Sequence, residues 1–287
     1  MRVIYNMSVF RVDSSDKQIF INNTRLMGIQ SCSYDTQKEF DDIRPIGQLD
    51  VTDRILKSNQ TTNLALDFML NDGGQSDPFF DFQTSGVLSI ESFNFKVRDL
   101  VGETFLSGAY MTSYSIRGAV GELVKGNVGY QCDVFDFNST GNLSYDDQSN
   151  DSFNAYQPQD ISVLTNFNEG VSGLCIQGFD LSLSLDREPK NRMGLRTPQT
   201  RYPSIPSQGD LKFSIIKNKV TGVDLSSLVL EKGSVTIKLN TDQSNEKEIA
   251  INNCSLISVS ESHNLDENAT LDFSYTFSIE NSGITFT

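Results

Sequence analysis

Near its C-terminal end the chain alternates for ten residues without a slip. Leu271, Phe273, Tyr275, Phe277 and Ile279 are apolar or aromatic, and Thr270, Asp272, Ser274, Thr276 and Ser278 between them are polar. A period of two sends alternate side chains to opposite faces of a β-strand. Such a segment covers a core with one face and meets water or a polar partner with the other. The same pattern sets Phe179, Leu181, Leu183 and Leu185 against Asp180, Ser182, Ser184 and Asp186, and it returns at Leu64, Leu66, Phe68 and Leu70. Phe93, Phe95 and Val97, and then Val235, Ile237 and Leu239, add two more strands. Helical periodicity is weak. Two short stretches, residues 48–57 and 223–231, each carry an Asp near the start as a cap and are read as one short helix per half. The expected fold class is therefore all-β, mainly strand.

Length and inventory narrow the chemistry. At about 150 residues per domain, 287 residues suggest two domains. No stretch reaches the roughly 20 apolar residues of a membrane helix, so no membrane insertion is expected. Acidic side chains outnumber basic ones 37 to 23, for a net charge of −14. That balance opposes tight nucleic-acid binding, which depends on Lys and Arg neutralising phosphates. One histidine, His263, and no tryptophan leave little for a catalytic triad or a His-rich metal site; no catalytic, cofactor or metal residues are assigned. Cys32, Cys132, Cys175 and Cys254 lie far apart without a CxxC pair and read as buried free thiols. The N-terminal segment has one early basic residue and no apolar run, so it does not read as a signal peptide. Synthesis and use in a cytoplasm are expected, which leaves the NxS/T triplets as products of an Asn-, Ser- and Thr-rich composition.

Laid over one another, the two halves carry similar elements in the same order. Cys32 and Tyr34 fall on Leu183 and Leu185 at an offset of 151, and Arg54 and Leu64 on Arg201 and Leu211 at 147. Phe93, Phe95 and Val97 fall on Val235, Ile237 and Leu239 at 142, Tyr114 on Ile257 at 143, and Tyr130 and Cys132 on Leu271 and Phe273 at 141. Between the halves, residues 137–160 are rich in Asn, Ser, Asp and Gln and poor in periodic apolar residues, as a linker is. The expected organisation is a first β domain over 1–136, a polar linker over 137–160 and a second β domain over 161–287. Each half carries an acidic excess, so neither is a basic nucleic-acid module.

In the first half a polar loop with Arg44, Pro45 and Gly47 leads into the strand around Leu64. The run from Arg196 to Ile216 is its counterpart in the second half, and each half closes on two long strands, around Tyr114 and Tyr130 and around Ile257 and Phe273. This pattern resembles the tail tube proteins of long-tailed bacteriophages. The resemblance implies two tandem tube-like β-sandwich or barrel domains and homo-oligomeric rings stacked into a tube, whose inner strands join one large barrel. With two such domains per chain, it implies three chains for each quasi-sixfold ring. It further implies a virion protein of the tail, assembled in the host bacterial cytoplasm, with other tail proteins as neighbours and a sheath where the tail has one. Double-stranded DNA would pass through without sequence-specific binding.

On this reading Arg44, Arg54, Arg201, Asp41 and Asp42 are candidate subunit-interface residues, because arginine pairs carboxylates through two parallel hydrogen bonds. Asp67 and Asp272, on the polar faces of their strands, are candidates to face the channel, where negative charge repels phosphates. Two alternatives remain: another tail component with the same domain, such as a baseplate hub, tube initiator or decoration protein, and a carbohydrate-active β-sandwich using two carboxylates.

Overall fold

A computed structural model describes residues 17–38, 40–44, 46, 51, 53–56, 61–70, 92–99, 102–138, 155–157, 160–165, 176–193, 195, 197–216, 233–239, 247–262, 269–280 and 283–286. Among them the regular elements are all strands. The first half supplies β1 (Gln18–Ile21), β2 (Thr24–Arg25), β3 (Ile29–Gln37), β4 (Phe40–Ile43), β5 (Asp53–Leu56), β6 (Thr61–Met69), β7 (Phe93–Arg98), β8 (Glu103–Ala119) and β9 (Lys125–Asn138). The second supplies β10 (Ile161–Thr165), β11 (Ile176–Ser184), β12 (Arg187–Lys190), β13 (Thr200–Pro203), β14 (Gln208–Ile216), β15 (Gly233–Leu239), β16 (Lys247–Ser262), β17 (Thr270–Ser278) and β18 (Ile284–Phe286). The all-β expectation is met.

The helix expected over residues 48–57 is not formed. Asp53–Leu56 is a strand that pairs antiparallel with Phe40–Ile43. The Asp53 carboxylate accepts the adjacent Arg54 N–H at 2.8 Å, the local bond by which Asp competes with helix formation; Asp50, the expected cap, lies outside the described residues. The helix expected over 223–231 lies outside the described residues, as does Cys175. The polar run begins later than its composition suggests, since Phe137 and Asn138 still belong to β9. It ends earlier as well: Tyr156 is buried, its N–H donates to the Leu70 carbonyl at 3.2 Å, and its carbonyl accepts from Val124 at 3.4 Å.

The alternating apolar residues form the core. Leu64, Leu66 and Phe68 of β6, Phe179, Leu181 and Leu183 of β11, and Leu271, Phe273, Tyr275 and Phe277 of β17 are all buried. Each such side chain withdrawn from water contributes about 1.5–3 kcal/mol before entropy is counted. Phe213 stacks against the rings of both Phe273 and Tyr275, with centroids 5.1 and 5.3 Å away. Cys132 and Cys254 are buried and Cys32 partly so, all as free thiols.

The pairing scheme occurs twice. In the first half the order is β3–β6–β9–β8–β7–β1; in the second it is β11–β14–β17–β16–β15–β10. Each half adds a separate hairpin, β4–β5 in one and β12–β13 in the other. Irregularities fall at corresponding places too. The β3–β6 ladder shifts at Ile29/Ser31 and the β11–β14 ladder at Ile176/Gly178, 147 positions on. Shifts at Met111/Ser113 and Leu256/Ser258 lie 145 apart, and those at Phe93/Phe95 and Gly233/Val235 lie 140 apart. Gly108, at φ 62°, and Asn253, at φ 55°, are both left-handed and again 145 apart, a conformation that suits Gly and Asn.

These ladders correct the offsets expected from the sequence. The β3/β11 offset is 147, not 151; β7/β15 is 140, not 142; β8/β16 is 145, not 143; and β9/β17 is 145, not 141. Every error is even, because a slip of two or four residues keeps each side chain on its face.

One ladder joins the halves. The C-terminal part of β8 pairs with β11 from Ser113↔Ser184 to Ala119↔Gly178, placing both halves in one 14-stranded sheet. Through that seam runs a path of eight consecutive strands, β3–β6–β9–β8–β11–β14–β17–β16.

Candidate assembly surface

Alternation gives the eight-strand path an apolar side, which is the core, and a polar side. The polar side carries Asp35, Asp67, Asp180, Asp210 and Asp272 against Arg117, Lys125 and Lys212; serine, threonine, asparagine and glutamine fill most other positions. Two of the bases are held beside an acid, since Asp180 stands opposite Arg117 on one side and Lys212 on the other. Asp67 accepts hydrogen bonds from the Ser31 hydroxyl and from Asn127 Nδ2 at 2.6 Å. These bonds, that from Ser31 foremost, stabilise the carboxylate and hold its pKa below the usual range.

Asp67 and Asp272 occupy the same rung of the two halves. Asp67 pairs across to Asn127 on β6–β9, and Asp272 pairs across to Ser214 on β14–β17. At the offsets of 147 and 145, Asp67 corresponds to Ser214 and Asn127 to Asp272. Each half therefore presents one acid at this height, from opposite strands of the rung.

The path ends on two edges that differ from the seam between the halves. Among the described residues β3 has a ladder only with β6, and the Ser258–Ser262 end of β16 only with β17. Their counterparts, β11 and the end of β8, pair on both sides. Exposure follows: Leu181 of β11 is 0% exposed and its counterpart Tyr34 of β3 is 39%. Leu183 is buried where Thr36 is half-buried, and Tyr114 where Val259 is half-buried. An open edge is a row of backbone donors and acceptors ready to take another strand.

The hairpins show the same contrast. Arg201 of β13 is 4% exposed and reaches onto β9, donating to Asp133 from Nε at 2.9 Å and to Gln131 at 2.7 Å. Burial pushes the Asp133 carboxyl up, while the charge and hydrogen bonds of Arg201 pull it down. Arg187 of β12 donates to the Met111 carbonyl at 2.7 Å and lies over the Tyr110 ring. The second hairpin is thus fastened to the first half. In the first hairpin Arg54, the counterpart of Arg201, instead pairs with Asp42 of the same hairpin at 3.0 Å, and both are exposed.

Of the interface candidates, Arg201 is buried at the contact between the halves, while Asp41, Asp42, Arg44 and Arg54 are exposed on or beside β4–β5. Sequence reasoning missed Asp133, Gln131 and Arg187. Asp133 carried one signal, since it interrupts the apolar pattern between Cys132 and Val134, but nothing local links it to an arginine 68 positions away.

No family model matches the chain, and no curated protein is similar to it.

Proposed function

We propose that this chain is the repeating subunit of a bacteriophage tail tube: a duplicated β module, three copies of which close head to tail into a quasi-sixfold ring. The observation that carries this reading is the β8–β11 seam. It joins the end of one pairing scheme to the start of the next, and the eight-strand path ends on the same two complementary strand types, β16 and β3, whose outer edges carry no ladder among the described residues. Repeating the seam between copies pairs β16 of one chain with β3 of the next. At the ladder offsets, Val259 stands opposite Thr36 as Tyr114 stands opposite Leu183, and Ser262 opposite Ser33 as Arg117 stands opposite Asp180. A head-to-tail contact of this kind closes into a ring when its rotation permits, and closure pairs both open edges of the eight-strand path.

Dimensions fit the role. Eight strands from each of three chains make a barrel of twenty-four. At about 4.8 Å between strands and a tilt of about 40°, its backbone is about 150 Å around and about 48 Å across. Side chains narrow this, yet duplex DNA still passes. The polar side of the path faces the channel, and the apolar side rests on the outer strands β7, β1, β15 and β10. Asp67 and Asp272 then form a ring of six acids at one level. With the bases beside Asp180 partly neutralised, the wall repels phosphates rather than holding them. No bond is made or broken; the tube guides the genome to the host.

Electron microscopy of the purified protein at rising concentration tests this. Tubes of stacked rings with six repeats around the axis are the expected result. A protein that stays monomeric at high concentration overturns it, and isolated single rings replace the repeating tube subunit by a tube initiator.

A further inference from the structure

The hairpins carry an inference that rests on the ring reading and deepens it. We propose that β4–β5 is an arm that seats on the second half of the neighbouring copy, as β12–β13 seats on the first half of its own chain, and that it brings its own counter-ion. The two hairpins correspond rung for rung: Asp42↔Arg54 in one, Pro189↔Arg201 in the other. The receiving surfaces correspond at the β8/β16 and β9/β17 offset, so that Met111 and Tyr110 become Leu256 and Ser255, and Gln131 and Asp133 become Thr276 and Ser278. Arg54 of one copy therefore arrives at Thr276 and Ser278 of the next, neither of which is a carboxylate.

The acid has changed sides. In the contact within the chain, the receiving strand supplies Asp133, and the hairpin carries Pro189 opposite the arginine. In the contact between copies, the receiving strand supplies Ser278, and the hairpin carries Asp42, already bonded to Arg54 at 3.0 Å. Either arrangement satisfies the rule that a guanidinium withdrawn from water needs a partner. The left-handed residue beside this site follows the same exchange. A Cβ at Gly108 would meet Asp133 at 3.1 Å, whereas the counterparts of Gly108 and Asp133 at the same offset are Asn253, left-handed at φ 55°, and the smaller Ser278.

Apolar exposure marks both sides of the proposed contact. Phe40, on the same face of the arm as Asp42 and Arg54, is 53% exposed, and Ile257 is 63% exposed on the receiving strand. At the position of Arg187, which donates to the Met111 carbonyl, the arm has Phe40, whose ring would lie on Leu256. The backbone repeats too: Leu185 N–H donates to the Thr112 carbonyl at 2.8 Å, and its counterpart is Lys38 N–H to Ile257. The partner is therefore a second copy of this chain, bound through an arm face that is apolar at Phe40 and internally neutralised at Arg54 and Asp42.

Two cysteine pairs separate this inference from the ring reading, each treated with a short bifunctional thiol linker and compared with its single-cysteine parents. Thr36→Cys with Val259→Cys reports the strand joint, and Phe40→Cys with Leu256→Cys reports the arm. Linked multimers from both pairs support the arm. Linkage from the strand pair alone overturns the arm and leaves the ring standing; linkage from neither overturns the ring reading. The counter-ion is tested by assembly midpoint. Asp42→Asn is expected to raise the concentration needed by about tenfold or more, because it leaves Arg54 without its partner at the contact. Adding Ser278→Asp, which moves the acid to the receiving strand, is expected to restore the midpoint to within about threefold. Asp42→Asn without effect, or a double variant no better than the single one, overturns the exchange.

Discussion

The seam between the halves and the two ends of the eight-strand path are built from corresponding strands, yet they differ in what covers them. At the seam Leu181 and Leu183 are buried, Arg201 is sealed against Asp133, and β8 and β11 each have two neighbours. At the ends Tyr34 and Ile257 face outward, and Arg54 makes its ion pair on the surface. Corresponding strands thus carry side chains graded by whether the strand is covered within the chain. The covered side uses leucine and a desolvated ion pair; the open side uses threonine, tyrosine and a pre-paired arginine, which suit contact with water.

The largest expected effect tests the arginines. Arg201→Met leaves Asp133 buried beside an apolar group and is expected to destabilise the chain by about 3–5 kcal/mol in denaturant unfolding. Arg54→Met, at an exposed pair, changes monomer stability by less than about 1 kcal/mol. Equal losses would erase the contrast. Next come the strand edges. Leu181→Ala is expected to cost about 2–5 kcal/mol through lost burial and a cavity, whereas Tyr34→Ala leaves the monomer within about 1 kcal/mol of the parent and impairs assembly. Hydrogen exchange sharpens this comparison: β11 amides are protected at any concentration, and outward amides of β3 only once multimers form.

A smaller effect separates the two left-handed positions. Gly108→Ala forces a Cβ into a positive φ against Asp133 and is expected to cost about 1–2 kcal/mol, while Asn253→Gly changes stability by only a few tenths. The smallest concerns Asp67. Hydrogen bonds depress its pKa in the folded state, so its contribution is present above the ordinary carboxylate pKa and is lost as pH falls through the depressed folded value. Asp67→Asn should flatten that acid limb of the stability curve measured by thermal unfolding; an unchanged limb would remove Asp67 from it.

Much of the fold was legible in the alternation. Leu271, Phe273, Tyr275, Phe277 and Ile279 were read as one buried face, and all are buried; the paired long strands closing each half are β8 with β9 and β16 with β17. Register was not legible, because face and register are separate pieces of information. At the offset expected from the sequence Tyr130 falls on Leu271, though the ladders match it to Tyr275, a slip of four that costs nothing in hydrophobic pattern. The helix expected over 48–57 failed for a related reason: a few apolar residues in a short window fit either period, and pairing with Phe40–Ile43 decided it.

The sequence by itself determined that the chain is built of strands, which side of each strand is apolar, and that Arg54 and Arg201 correspond. Those properties are local, carried by residues one or two positions apart. Only the tertiary structure decided that Arg201 meets Asp133, that Asp67 and Asp272 share a rung, and that β8 accepts β11 while β3 and the end of β16 keep an open edge. Such relations arise between backbone groups and side chains far apart in the chain, and they become fixed only when hydrogen-bond ladders and bulges choose one register among several with the same hydrophobic pattern.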